Sequence, residues 1–291
     1  MSFAMIALAA ASLPGQAAGA DVFYSADAED TEVLKAAISF DLRYSGPEQR
    51  IGVRLERARF APLGQVGRTM TRGFVRLADT AGRWKWNVAL GTDGHTVLGS
   101  AGVHDESPFR KEAFIERDIV ETPIGVTRGI YYTFGGAAID LPAGDRDTLT
   151  LLGGVQAFTG RNVRTHLRST YVHVMKRDWG LSAQLRTRYF HSSNPGEFDY
   201  YSPLWYAEVL PVIQVRRFVG GWQLLGAAGY GAQRDSGTKW RSSRYLNARV
   251  TSPAFRREWA LIAGLLYTNT PVGTGFTYRY LQFSMGLTKA F

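Results

Sequence analysis

The chain has 291 residues, 45% hydrophobic and 13% aromatic, with a formal net charge of +9 and no cysteine. The lack of cysteine excludes a disulfide-stapled scaffold and any thiolate centre. Beyond the first twenty residues no uninterrupted apolar run reaches the roughly 18 residues that a spanning helix needs, so a membrane crossing would have to use strands. The arginines are spread singly along the chain instead of gathered in one patch, which argues against nucleic acid as a partner.

Residues 1–20 read as a signal peptide: an apolar run from Phe3 to Leu13, a Pro14-Gly15 break and a small-residue cleavage triplet, Ala18-Gly19-Ala20. The usual basic n-region is missing. The remainder, 21–291, carries period-two alternation without a linker and reads as one domain. Its strands are expected near 22–27, 34–44, 50–60, 69–79, 83–92, 95–105, 112–121, 127–140, 147–158, 163–175, 180–192, 205–217, 221–233, 242–252, 257–268 and 279–290. Most are close to the roughly 9–11 residues of a tilted membrane strand. Separators such as Ser45-Gly46-Pro47, Asp93-Gly94 and Gly220-Gly221 carry turn chemistry.

The segment from Gly180 to Arg217 shows the pattern most clearly. Leu181, Ala183, Leu185, Thr187 and Tyr189 share one face, and Ser182, Gln184, Arg186 and Arg188 share the other. Two arginines on a strand face are unwelcome in a soluble core but ordinary where that face lines a wet channel and the opposite face meets lipid. These features predict an all-β fold, a transmembrane antiparallel up-and-down β-barrel. An even count follows if both ends lie in the periplasm; sixteen strands are expected, with fourteen as the alternative. The loops at Asn194–Leu204, Asp235–Arg241 and Thr270–Phe276 then lie outside the cell, and the turns at Arg177–Gly180 and Gly220-Gly221 in the periplasm.

The last strand places Leu281, Phe283, Met285 and Leu287 on one face and ends at Phe291. It resembles the terminal strand of Gram-negative outer-membrane barrels, whose C-terminal aromatic is read by the assembly machinery. That resemblance implies integral residence in the bacterial outer membrane among its lipid and lipopolysaccharide. A soluble antiparallel sandwich, whose strands also alternate, is the competing fold.

With apolar faces turned to lipid, Arg54, Arg76, Arg164, Arg168, Arg186, Arg188 and Arg216 point inward, together with Arg72, His166 and Arg249 and the acids Asp41, Glu56, Glu116, Asp118 and Glu208. Guanidinium groups grip carboxylate, phosphate or sulfate through paired hydrogen bonds, so the arginines are candidate lumen anion-binding residues. The alternative is that they pair with interior acids and brace the wall. Hairpin pairing across Arg177–Gly180 is expected to bring Arg164, Arg168, Arg186 and Arg188 into one patch.

The loop DYYSPLWY, Asp199 to Tyr206, resembles the F/Y-S-P-x-x-Y segment in the C-terminal barrels of bacterial exporters of cellulose and poly-N-acetylglucosamine. The resemblance implies an outer-membrane pore for polysaccharide export, with Tyr200, Tyr201, Trp205 and Tyr206 stacking on sugar rings. Those exporters usually carry tetratricopeptide repeats, so a separate periplasmic repeat scaffold is implied as a partner. The same four rings also fit an interfacial aromatic girdle.

A different class is suggested by His191-Ser192-Ser193-Asn194, which resembles the H-x-S-N segment of outer-membrane phospholipase A and lipid A deacylases. There His191 would be the base and Ser193 the nucleophile of a lipid esterase. The orienting third member is missing from the following strand; Glu197 or Asp199 could serve only by folding back. A passive conduit, without enzymatic activity, is therefore the first expectation, the esterase the second and a general anion-favouring porin the third. The remaining histidines show no metal-ligand spacing, and no metal site or cofactor is expected.

Overall fold

The computed structural model describes residues 15–27, 31–62, 66–253, 258–271 and 279–291. Sixteen strands join antiparallel, each to its sequence neighbours, and close into a barrel through pairing of the first with the last. They are β1 (Gly15–Asp27), β2 (Glu32–Gly46), β3 (Gln49–Ala61), β4 (Arg68–Ala81), β5 (Trp84–Thr92), β6 (Val97–Asp105), β7 (Lys111–Ile119) and β8 (Tyr131–Pro142). The second half comprises β9 (Asp147–Phe158), β10 (Val163–Lys176), β11 (Leu181–Ser192), β12 (Trp205–Val219), β13 (Trp222–Asp235), β14 (Arg241–Thr251), β15 (Trp259–Thr268) and β16 (Tyr280–Ala290).

Alternation decides which face each residue takes. On β2 and β3, Ile38, Phe40, Leu42, Ile51, Val53 and Leu55 are exposed on the outer wall. Their neighbours Lys35, Asp41, Arg54 and Glu56 turn inward. An outer band of this composition is at home only against hydrocarbon, and closure leaves no strand edge unpaired there.

One device tightens the inner wall. A register shift between Asp41 and Arg43 leaves Leu42 as a bulge. Gly52 lies directly opposite Asp41, and a Cβ at Gly52 would fall 2.1 Å from the Asp41 carboxylate. Only glycine leaves that carboxylate room to reach across to Arg76 on β4.

The two ends of the barrel differ. Residues 47–48, 82–83 and 220–221 make two-residue turns at the end where β16 finishes, whereas 120–130 and 193–204 are long connections at the other end. Short periplasmic turns and longer extracellular loops are the habit of outer-membrane barrels, which sets the orientation. The expected placements of the 194–204 and 235–241 loops and of the two turns agree with it; residues 272–278 of the 270–276 loop lie outside the described residues.

All sixteen expected strands are present, with two differences. The expected strand at 127–140 begins only at Tyr131, because Thr122 caps a short helix, α1 (Pro123–Arg128), that ends at Gly129 with φ +68°. The side-chain oxygen of Thr122 accepts from the Gly125 N–H, and Pro123 at the first helical position has no donor to satisfy. The second difference is at the start. The apolar run of the expected leader lies outside the described residues, but residues 15–20 belong to β1. Eleven pairs join β1 to β16, from Ala17↔Ala290 to Asp27↔Tyr280; cleavage after Ala20 would remove four of them and keep seven.

Phe291 closes the seam. Its N–H donates to the carbonyl of Gln16 and its carbonyl accepts from the N–H of Gln16, both at 2.9 Å, and its exposed ring lies 6.4 Å from that of Phe40. Deleting Phe291 is expected to reduce membrane assembly, read as loss of the fast-migrating form in unboiled gels. Normal assembly of the deletion would contradict a role in closure or targeting.

Candidate functional site

The inward side chains divide the lumen into two halves of different electrostatics. On β1–β4 and β7 the charges alternate and pair. Arg54 donates to Asp21 on β1 and to Glu56 at 2.8 Å. Arg72, 2% exposed, lies 3.4 Å from Glu56 and 3.2 Å from Asp118. Arg76 donates to Asp41 at 2.9 Å. Lys35 on β2 reaches Glu121, just past β7, at 2.5 Å. Since β2 and β7 are separated by four strands in the wall, the Lys35 and Arg72 contacts are struts across the interior. A cavity of about 220 Å³ remains among them, lined by Lys35, Arg54, Glu56, Arg72, Glu116 and Asp118. For Arg54 and Arg76 the structure therefore shows bracing: each already holds an acid.

The half formed by β10–β12 and β14–β15 is different. The β10–β11 register sets Arg168 directly opposite Arg188 and Thr170 opposite Arg186, so three of the four arginines expected to cluster across the Arg177–Gly180 turn come together, without Arg164. These arginines line a cavity of about 460 Å³ in which Glu208 is the acid among the described lining residues. Glu208 is engaged, accepting from Ser243 Oγ at 2.6 Å and lying 3.5 Å from Arg188 Nε. Arg186 donates to Gln184 Oε1 at 2.8 Å, and its guanidinium lies 4.7 Å from the Tyr245 ring centre. Arg188 donates to the Pro271 carbonyl at 2.7 Å. The Nε of Arg168 is buried and meets no hydrogen-bond acceptor among the described residues. Three cations against one acid, with buried donors on Arg168 and Arg188 left without an acceptor among the described residues, give this wall a basic excess.

The other predicted arginines fall outside this cavity. Arg164, 1% exposed, sits between the rings of Phe158 and Phe190 and donates to the Tyr201 carbonyl. Arg216 shares the inward parity of Glu208 but lies exposed at the periplasmic end of β12.

The extracellular mouth is narrowed by two loops. In segment 120–130, Val126 packs with Val33, Ala58, Phe60 and Met70 on the inner faces of β2–β4, and Arg68 donates to its carbonyl at 2.6 Å. The segment thus reaches from β7–β8 over to β4. Loop 193–204 lies against it. Asp199 accepts from the Thr122 hydroxyl and from the Ile124 N–H, each at 2.6 Å, and so latches one loop to the start of α1. Glu197 accepts from the N–H groups of Arg161 and Asn162. Tyr201 donates to Asp235 at 2.6 Å; burial, then this bond, raises its pKa, so the phenol stays a donor through neutral pH.

These contacts account for the tyrosines singled out for sugar stacking. Tyr200, 1% exposed, is stacked on Phe158 at 4.3 Å, and Tyr206, wholly buried, on Phe190 at 5.1 Å. In this arrangement their faces are taken. Trp205 lies on the outer wall with Arg234 over its ring, as a girdle residue does.

His191 and Ser193 do not form a pair here. Ser193 Oγ accepts from the Val163 N–H at 2.9 Å, and no hydrogen bond joins it to His191 among the described residues. Both acids that could have oriented the histidine, Glu197 and Asp199, are committed to backbone donors elsewhere.

No family model and no curated protein matches the chain. Among solved structures it is similar to a bacterial polysaccharide outer membrane secretin, with a TM-score of 0.71 and 11% identity over 96% of this chain and 99% of that one. This chain is an integral outer-membrane β-barrel. Other matches include OccK7 (OpdD) of Pseudomonas aeruginosa, with a TM-score of 0.47 and 8% identity over 96% of this chain and 98% of that one. An anion-selective porin from Comamonas acidovorans matches with a TM-score of 0.41 and 12% identity, over 95% and 98% of the two chains.

Proposed function

We propose that the barrel is a passive outer-membrane conduit for anionic solutes, and that the exported cargo is an acidic polysaccharide. The observation that carries this reading is the half-lumen at Arg168, Arg186 and Arg188, where cations outnumber acids around a cavity large enough for a ligand. In the paired half each of the cations Lys35, Arg54, Arg72 and Arg76 is matched by an acid, so no basic excess remains there and selectivity for anions falls to the basic half. The shared fold with a polysaccharide secretin and the Tyr-Ser-Pro loop support a saccharide as cargo. Outer-membrane lipid, lipopolysaccharide, the assembly machinery and a periplasmic repeat scaffold belong to the same proposal as partners. So does a cleaved leader over residues 1–20, whose removal would shorten β1 to residues 21–27.

The experiment is ion selectivity in planar bilayers. Under a potassium chloride gradient the purified barrel is expected to give a reversal potential on the chloride side. The preference should weaken as salt screens the arginines over a Debye length of about 3 Å at 1 M. A reversal potential on the potassium side would contradict the proposal.

A further inference from the structure

The cavity at Arg168 has a composition that a simple anion does not explain. A site built for sulfate or phosphate gains nothing from a carboxylate, yet Glu208 lies 3.5 Å from Arg188 on the same wall. Thr170 lines the cavity from β10, and Thr268 and Thr270 line it from β15 and beyond, across the interior. Leu210 and Tyr245 add apolar surface between them. Cationic donors on one side, hydroxyls on the other and a carboxylate acceptor between them are complementary to a ligand that carries both an anion and hydroxyl groups.

We infer that this cavity is a recognition site for a carboxylated sugar unit of a saccharide chain. The inference rests on the anion-conduit reading and names the class of solute that pauses there. The sugar carboxylate accepts from Arg168, whose buried Nε lacks an acceptor among the described residues. Ring hydroxyls donate to Glu208 and exchange hydrogen bonds with Thr170, while the Thr268 hydroxyl is held by the Arg244 carbonyl and Thr270. The site is held in place by contacts that do not involve the ligand: Arg188 is fixed by the Pro271 carbonyl, Glu208 by Ser243 and Arg186 by Gln184 and Tyr245. Arg168 and Arg188 both keep buried donors without an acceptor among the described residues, Arg168 being the one that no carbonyl anchors, and Glu208 distinguishes a sugar acid from a bare anion.

The test is calorimetric titration of the detergent-purified full chain with trigalacturonate, its neutral methyl ester and sulfate. Trigalacturonate is expected to bind, with the ester and sulfate at least about tenfold weaker, the scale set by losing one charge-assisted contact. Arg168→Gln should weaken trigalacturonate by about tenfold or more. Glu208→Gln should weaken trigalacturonate while sulfate, relieved of a neighbouring negative charge, binds no more weakly than before. Arg168→Lys, which retains charge but loses the planar fork, should also weaken it and serves as a second variant should the first fail to fold. Sulfate or the ester binding as tightly as trigalacturonate overturns the inference, as does an unchanged affinity in Arg168→Gln. If trigalacturonate fails to bind while the barrel still selects chloride, the sugar-acid site is wrong and the conduit stands. Failure of both sinks the conduit reading itself.

Discussion

Replacing Asp199 by alanine is expected to raise single-channel conductance severalfold. The carboxylate is the acceptor for the Thr122 hydroxyl and the Ile124 N–H, and these bonds tie loop 193–204 to the start of α1 across the mouth, beside the apolar cluster that Tyr200 forms with Val120 and Ile130. Removing it leaves two donors without their acceptor, at about 1–3 kcal/mol each where burial excludes water. The loop's other ties are Glu197 to the 161–162 turn and Tyr200, which stacks on Phe158 and packs with Val120 and Ile130 at the two ends of segment 120–130. The predicted motion is therefore a swing of the loop away from the start of α1, hinged on the Tyr200 cluster, and not unfolding of the barrel. Asp199→Asn, which retains one acceptor oxygen, should fall between wild type and Asp199→Ala. Unchanged conductance in Asp199→Ala would show that the loops do not limit flow.

The largest effect on stability is expected at Arg72. Its guanidinium is buried between Glu56 and Asp118 and lies 5.7 Å from the Phe60 ring centre. Removing one partner of a buried ion pair costs up to about 3–5 kcal/mol, here lessened because Arg54 still holds Glu56 and Lys35 lies 4.0 Å from Asp118, whereas neutralising all partners together costs far less. Arg72→Met alone should therefore lower the denaturant midpoint of the detergent-solubilised barrel markedly. Arg72→Met with Glu56→Gln and Asp118→Asn should recover most of the loss. A single variant as stable as wild type would show that the cross-lumen struts carry little of the wall's rigidity.

Much of this architecture was legible in the sequence because strand side chains repeat every two residues, so one alternating run fixes both the element and its lipid face. The inward placement of Arg168, Arg186 and Arg188 follows from that parity, and their juxtaposition follows from a short turn. Other features resist such reading. Whether an interior arginine braces or binds depends on partners distant in sequence: Asp118 is 46 residues from Arg72, and Asp21 is 33 from Arg54. The start of β1 was hidden because its inward Ala17 and Gly19 are small and continue the apolar leader-like run. Helix α1 did carry a local signal, Thr122-Pro123 with a closing Gly129, which an expected strand at 127–140 overrode. Nothing local marked Tyr200 and Tyr206 as buried, since an aromatic cluster at a strand end fits a girdle, a sugar platform or a plug equally well.

The central claim is that Arg168 and Arg186 line the path that solutes take. The direct measurement is the reversal potential, in planar bilayers under a potassium chloride gradient, of the variant carrying Arg168→Glu and Arg186→Glu. The reversal potential is predicted to move from the chloride side toward the potassium side while the circular dichroism spectrum keeps its strand signature. A correctly folded variant with the wild-type reversal potential would contradict the account.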